Sequence, residues 1–155
     1  MKVLIALDES PVSIRAAREA VRLFSVSAAE FLVINVATLP APWVGAAGFG
    51  QVAPLAVDPQ WLDEVEKSHS HDDEAELMAL AADAGVPDAD VMLRSGDAVT
   101  QICAAAEEQD VDVIVVGSHN KTALRRLFDP SIAAGVVRDT YRPVLVVSGV
   151  PPDAR

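Results

Sequence analysis

The sequence predicts a single-domain α/β protein, an open, doubly wound parallel β-sheet with helices on both faces. Two observations lead to this prediction. Several short apolar runs are continuous rather than alternating, as in parallel strands buried on both faces. Segments with helical periodicity separate these runs, and such an alternation of strand and helix implies right-handed crossovers within one parallel sheet.

Five segments are predicted to form the strands. Four are strongly apolar and rich in β-branched residues: KVLIAL (2–7), FLVINV (31–36), VDVIVV (111–116) and PVLVV (143–147). The fifth, DVMLR (90–94), is a weaker match. Ligands of such sheets bind beyond the carboxyl ends of the strands, so the search for a site is confined to the loops that follow these segments.

Capping signals mark the first two predicted helices. Ser10 is a favoured N-cap and Pro11 a favoured first helical residue. The apolar face of this helix consists of Ile14, Ala17, Val21 and Phe24. A longer helix is predicted over about 59–84, and Gly85 is expected to end it.

Two further helices follow the weaker strand and the strand at 111–116. Asp97 is predicted to cap the third helix, whose inward face consists of Val99, Ile102, Cys103 and Ala106. On that face Cys103 is interpreted as a small core residue. Asp129 and Pro130 are predicted to open the fourth helix, whose apolar side consists of Ile132, Val136 and Val137.

Composition excludes several classes of function. The chain has 155 residues, of which 51% are hydrophobic, enough for one domain with a buried core. The net charge of −11 argues against nucleic acid and anionic membranes as partners. No apolar run approaches the ~20 residues of a membrane span. The single cysteine suits a reducing compartment, so we expect a cytoplasmic protein.

No catalytic residue and no metal site can be assigned from the sequence. Ser118 and His119 are adjacent, but adjacency does not supply the geometry of a nucleophile and its base. In the tract SHSHDD (68–73), His69 and Asp73 are best spaced for a shared ligand, yet two ligands do not make a metal site. A solvated helix face is the simpler interpretation of this tract.

Two other features leave alternatives open. The segment 38–60 is either a surface loop or dimer contact, or a lid in which Trp43 or Phe49 covers a ligand. A basic window near the carboxyl end either complements helix and strand ends or forms an anion-attracting mouth at the strand ends. Its members are Lys121, Arg125, Arg126, Arg138 and Arg142.

Four stretches resemble the universal stress protein family. They are IALDES (5–10), FLVINVATLP (31–40), RSGDAVTQICAAAEEQDVDVIVVGSH (94–119) and YRPVLVV (141–147), with Asn35 where the family usually has histidine. The resemblance covers residues 1–149 and leaves 150–155 as a tail. It implies the strand order 3-2-1-4-5 and a homodimer formed through the last strand, at Val144, Leu145, Val146 and Val147.

The resemblance also points to an adenine-nucleotide site. ATP-binding members carry Gly-x-x-Gly, nine residues, then Gly-Ser or Gly-Thr. Gly117 and Ser131 match this pattern, but Asn120 and Pro130 replace the second and third glycines. Asp8 and Val36 match positions beside the adenosine. The candidate site therefore consists of Asp8, Val36, Gly117, Asn120, Ser131 and Ile132.

Elementary chemistry indicates that the phosphate part of this site is closed. Asn120 is a mild change, because asparagine tolerates left-handed backbone. Pro130 has no N–H to donate, and a lost contact to an anion costs roughly 1.5–3 kcal/mol. As an N-cap, Asp129 would occupy the positive helix end and repel a phosphate. We therefore hypothesise that Asp129 is an internal phosphate mimic.

These observations lead to two expectations about function. The first is a non-catalytic, dimeric stress-response module that acts through an unnamed protein partner, with ATP binding weak or absent. Weak binding of adenosine or AMP remains compatible with it, because contacts through Asp8 and Val36 do not depend on Pro130. The alternative is an ATP- or AMP-binding switch or slow ATP hydrolase, as an intact motif would imply.

Overall fold

The computed structural model of the chain describes residues 1–25, 28–37, 73–86, 88–118 and 132–149. Five strands form one sheet: β1 (Lys2–Ala6), β2 (Glu30–Ala37), β3 (Asp90–Ser95), β4 (Val113–Ser118) and β5 (Val144–Ser148). All four neighbouring pairs are parallel, and the strand order is β3-β2-β1-β4-β5. The predicted fold class and strand order are therefore confirmed.

Four helical segments cover the sheet. They are α1 (Pro11–Phe24), α2 (residues 73–83), α3 (Ala98–Glu108) and α4 (Ile132–Asp139). The predicted start of α2 near residue 59 and the predicted opening of α4 at Asp129 and Pro130 lie outside the described residues. Among the described helices, none is long and apolar enough to cross a membrane.

The predicted capping residues act as expected. Ser10 is the N-cap of α1, with its hydroxyl accepting the Ser13 N–H at 3.3 Å. Asp97 is the N-cap of α3 and accepts the Thr100 N–H at 2.9 Å. Gly85 follows α2 with φ of 87°, a left-handed conformation that glycine adopts without strain. Side-chain caps therefore mark the starts of α1 and α3, and the left-handed conformation of Gly85 marks the end of α2.

Both faces of the sheet are buried. One core cluster packs α1 and α2 against inward-facing strand residues such as Ile5, Val33 and Val115. The other packs α3 and α4 against Ile34 and Ile114. Alanines supply much of the helix surface in both clusters, so the helices lie close to the sheet. This two-sided burial explains why the strand sequences are continuously apolar.

The predicted apolar side of α4 is wrong at two positions. Val136 is fully buried, but Ile132 and Val137 are 47% and 53% exposed. Instead, Gly135 faces α3, where a Cβ atom would stand 2.5 Å from Cγ2 of Val99. α4 therefore meets α3 through the face that carries Gly135, and not through the face that carries Ile132 and Val137. The pattern of hydrophobic residues does not reveal this contact, because glycine has no side chain.

Candidate functional site

A cavity of about 280 Å³ opens at the carboxyl ends of β1, β2 and β4. Its location follows from the topology, because the chain leaves β1 through α1 on one face while α3 and α4 cover the other face. Such a switch point leaves a crevice between helices on opposite faces. The apolar wall consists of Ile34, Val36, Ile102, Val116 and Ile132.

Polar groups gather at the rim of the cavity. They are Asp8, Ser10, Ser13, Asn35 and Ser118. Apolar walls with a few convergent polar groups are typical of sites for small organic ligands. The acidic member of the set, Asp8, can accept hydrogen bonds from ligand N–H or O–H groups when it is ionised.

The carboxylate of Asp8 is held by the turn between β1 and α1. Its Oδ1 accepts the Ser10 N–H at 2.9 Å and the Ser13 hydroxyl at 2.5 Å. The Ser13 hydroxyl oxygen also accepts the Asp8 N–H at 3.2 Å. Asp8 is exposed, whereas Ser13 is only 6% exposed. A buried hydroxyl therefore anchors an accessible acid at the rim.

Sequence reasoning missed Ser13. The spacing of Asp8, Ser10 and Ser13 was the available signal, since serines two and five residues after an acid fall in the first turn of the predicted helix. The cap at Ser10 is predicted from Ser10 and Pro11 alone. The contact of Ser13 with Asp8 depends on the tight path of the connection, which the pattern does not specify.

Asn35 and Val36 bring the end of β2 to the cavity. The Asn35 Nδ2 donates to the Leu7 carbonyl at 2.8 Å and so ties the end of β2 to the residue before Asp8. Val36, the next residue of β2, is half-buried. The side-chain amide of Asn35 thus helps to fix the backbone that leads into Asp8.

Gly117 lies where β4 meets the first turn of α1. A Cβ atom at this position would stand 3.0 Å from the backbone nitrogen of Ser13 and from the carbonyl carbon and oxygen of Val12. Ser118 follows, and its carbonyl accepts the Gly149 N–H at 3.0 Å, which joins β4 to the end of β5. The absence of a side chain at Gly117 lets the helix approach the rim.

The family model described as the universal stress protein family matches residues 1–148. The chain belongs to the universal stress protein family. The match spans all five strands and includes the residues around the cavity.

A related sequence agrees with this assignment, and two solved structures share the fold. Universal stress protein MJ0531 of Methanocaldococcus jannaschii is 30% identical over 148 residues, which are 94% of this chain and 81% of that protein. The solved structure of hypothetical protein MJ0577 superposes with a TM-score of 0.66 at 20% identity, covering 97% of this chain and 96% of that one. A universal stress protein in complex with cAMP superposes with a TM-score of 0.61 at 20% identity, covering 96% of each chain.

Four of the six candidate residues come together in this universal stress protein. Asp8, Val36, Gly117 and Ile132 all line the cavity. The other two, Asn120 and Ser131, lie outside the described residues. So do Asp129 and Pro130, which are predicted to prevent phosphate binding. Nucleotide binding by these residues stays a prediction.

Part of the basic window lies at the opposite edge of the sheet. Arg138 is in the last turn of α4 and pairs with Asp139 at 2.6 Å, and these contacts raise the pKa of Arg138. Arg142 directly precedes β5, where it donates to the Val111 carbonyl at 3.0 Å and to Asp110 at 2.9 Å. The interpretation as an anion-attracting mouth is therefore wrong for these two arginines, which complement a helix end and a strand start.

The rest of the basic window and other predicted features cannot be compared with the structure. The residues outside the described ranges include Lys121, Arg125 and Arg126, the histidines His69, His71 and His119, and the predicted lid residues Trp43 and Phe49. At the carboxyl edge of the sheet, Arg15 of α1 does reach the described strand ends, and it donates to the Ser148 carbonyl at 3.1 Å.

A larger cavity of about 730 Å³ lies between α2 and the ends of β2 and β3. Its rim carries the carboxylates of Glu9, Asp73, Glu76 and Asp83. Among the described residues that line it, the single basic one is Arg94, which is paired with Glu108 of α3. This negative rim is unsuited to a phosphorylated ligand, so the smaller cavity is the better candidate for a nucleotide.

Cys103 is half-buried and packs against the core cluster on the α3 side, as the sequence predicts. Burial raises the pKa of its thiol, which keeps the thiolate form rare at neutral pH. Within the described ranges, no group of three or more His, Cys, Asp or Glu residues could hold a metal ion.

Proposed function

We propose that the chain is a non-catalytic, dimeric stress-response module of the cytoplasm that binds an adenine nucleoside or mononucleotide weakly and does not hold the triphosphate of ATP. The observation that carries this proposal is the cavity of about 280 Å³, in which the Asp8 carboxylate stands beside an apolar wall. Its volume lies just below the ~300–1,000 Å³ that is typical of ligand pockets, which suits a small ligand.

The sequence before α4 argues against a phosphate cradle. Asp129 and Pro130 immediately precede the residues that open α4, where ATP-binding relatives need free N–H groups and positive potential. A like-charge contact at ~4 Å costs about 1 kcal/mol in water and about 4 kcal/mol at an effective dielectric of 20. With the missing N–H of Pro130, the affinity for a phosphate falls by about two orders of magnitude or more.

The two described arginines of the basic window give little compensation. Arg138 and Arg142 face acidic partners at the amino edge of the sheet, away from the cavity. They therefore cannot offset the negative charge that Asp129 is predicted to bring to the phosphate site. The position of their charges supports weak rather than tight binding of a triphosphate.

A structural neighbour in complex with cAMP supports a mononucleotide as the ligand. The neighbour in complex with cAMP has the same fold and carries one phosphate on its ligand. In this chain, Asp8 and Val36 both line the cavity, which supports the proposal that they contact the nucleoside part. The alternative function, a nucleotide switch or slow ATP hydrolase, is favoured by the same two residues.

The edge position of β5 supports dimerisation. β5 pairs with β4 on one side and is the last strand of the sheet on the other. Val146 is 40% exposed on this strand, and Tyr141, shortly before it, is 99% exposed. An uncovered apolar edge strand invites aggregation unless it is paired, and a second copy of the chain would pair it.

Titration of the purified protein with adenosine, AMP and Mg-ATP tests the proposal. We expect weak affinities that agree within a few fold for the three ligands, because the phosphates add nothing. Incubation with ATP should release no ADP above the buffer control. Micromolar binding of Mg-ATP, much tighter than that of adenosine, would support the nucleotide switch instead. Absence of all three interactions would leave only the protein-contact role.

A further inference from the structure

The hydroxyl of Ser13 has a position that helix formation alone does not explain. We propose that Ser13 is a positioning residue, which fixes the Asp8 carboxylate in the orientation that accepts a hydrogen bond from the nucleoside. The inference rests on the proposed function, because it concerns the same cavity. Ser13 acts through Asp8 and is not itself assigned a contact with the ligand.

The distances around the Ser13 hydroxyl favour the carboxylate as its acceptor. Three oxygens lie within reach: Oδ1 of Asp8 at 2.5 Å, the Asp8 carbonyl at 2.7 Å and the Ser10 carbonyl at 3.0 Å. A hydroxyl has one proton to donate. The shortest of the three contacts leads to a charged oxygen, and hydrogen bonds to carboxylates of this length are the strong, charge-assisted kind.

The start of α1 does not need this contact. The N-cap is Ser10, which accepts the Ser13 N–H, and Asp8 lies two residues before it, outside the helix. The start of α3 is different, because there the carboxylate that accepts a hydrogen bond from a hydroxyl is itself the N-cap. Asp97 accepts both the N–H and the hydroxyl of Thr100, at 2.9 and 2.7 Å.

Burial makes the Ser13 contact a rigid one. Ser13 is 6% exposed and is the one polar residue in the buried set of the described chain. Its oxygen also accepts the Asp8 N–H at 3.2 Å, and the Ser10 N–H reaches the same Oδ1 at 2.9 Å. The direction of the Asp8 side chain is thus set from two sides before a ligand arrives. Such preorganisation strengthens binding, because less rotamer freedom is lost on association.

A double-mutant cycle tests the proposal. AMP affinity is measured by ligand-observed NMR, which reaches millimolar dissociation constants, for the parent, Ser13→Ala, Asp8→Ala and the double variant. We expect Ser13→Ala to weaken AMP binding roughly tenfold in the parent, the scale of one charge-assisted hydrogen bond. In the Asp8→Ala background the same substitution should change the affinity by less than about twofold.

Two further variants separate positioning from folding. Thr100→Val removes a hydroxyl that donates to the N-cap carboxylate of α3; neither Thr100 nor Asp97 lines the cavity, so this change should leave the AMP affinity unchanged. Ser13→Cys keeps a small side chain with a weaker donor and should give an intermediate affinity, which covers the case in which Ser13→Ala does not fold. Thermal unfolding of each variant confirms that it is native at the temperature of the titration.

The outcomes distinguish this inference from the proposed function. A parent that binds AMP, with Ser13→Ala binding equally well, would overturn the inference and leave the function standing. Equal losses from Ser13→Ala in both backgrounds would show a general structural role and would also overturn it. A parent that binds no adenine ligand at millimolar concentration would overturn the nucleotide part of the function and the inference together.

Discussion

Gly117 lies against the backbone of Val12, so closely that a Cβ atom on the glycine would stand 3.0 Å from both the carbonyl carbon and the carbonyl oxygen of Val12. Gly117 is also the residue that matches the first glycine of the family's nucleotide motif. The packing of α1 on β4 therefore favours a glycine at this position whether or not a nucleotide binds. Its presence is weak evidence for phosphate binding, whereas Asp129 and Pro130 are the informative residues of the motif.

Gly117→Ala is expected to destabilise the protein by about 1–3 kcal/mol, the usual cost of overpacking a well-packed site. The atoms in the way are backbone atoms of α1, which cannot rotate aside. Urea unfolding followed by circular dichroism measures the change. Ser118→Ala is the matched control one residue further along β4, and it should alter the free energy of unfolding by no more than about 0.5 kcal/mol.

Gly135→Ala is expected to destabilise the packing of α4 on α3, because the new methyl group would meet Val99 at 2.5 Å. In a Val99→Ala background the same substitution should instead be neutral or stabilising, since alanine is up to about 1 kcal/mol better than glycine within a helix. The four unfolding free energies form a cycle with a coupling of about 1–3 kcal/mol. Equal effects in both backgrounds would show that the two residues do not compete for this space.

Asp97 predicts a specific pH dependence of stability. Hydrogen bonds from the side chain and backbone of Thr100 lower the pKa of Asp97 below its ordinary value of 3.8. The carboxylate therefore stabilises the fold fully above that ordinary pKa, and its contribution is lost as pH falls through the lower pKa of the folded state. Asp97→Asn keeps a capping oxygen without the charge.

Thermal unfolding of the parent and of Asp97→Asn between pH 7 and pH 2.5 measures this effect. The parent should melt at the higher temperature at neutral pH, and the gap between the two proteins should narrow as the pH falls below about 4. A gap that stays constant across the acid range would show that the charge of Asp97 does not stabilise α3.

The strands were predictable because burial on both faces demands continuous apolar sequence. Even the weaker segment at 90–94 lies in the sheet, as β3, and its position at an edge explains why it is only half-buried. The spacing of apolar residues did not predict which face of α4 is buried. Gly135 sets which face of that helix meets α3, so Ile132 and Val137 remain exposed despite their apolar side chains.

The candidate site was predictable in outline because the carboxyl ends of parallel strands converge. That rule places Asp8, Val36 and Gly117 at one edge, and all three line the cavity. The same rule, applied to Arg142, would have placed it at the other edge, since it precedes β5. Ser13 could not be found in this way, because its role depends on one contact within a tight turn.

Val146→Glu is expected to convert a dimer into a monomer. The side chain is 40% exposed on the edge strand β5, and a carboxylate at this position in each copy would meet its counterpart in a paired edge. Light scattering after size-exclusion chromatography gives the mass of each form. Met78→Glu, on an exposed position of α2, is the control and should keep the mass of the parent. A parent that is already monomeric at micromolar concentration would contradict the dimer.

The central claim, that Asp129 and Pro130 close the phosphate site, is tested most directly by calorimetric titration with Mg-ATP and AMP. The parent is compared with a variant that carries Asn120→Gly, Asp129→Gly and Pro130→Gly. We expect the parent to bind Mg-ATP no more tightly than AMP, and the variant to gain about a hundredfold or more in ATP affinity. Micromolar binding of Mg-ATP by the parent, unchanged in the variant, would contradict the claim.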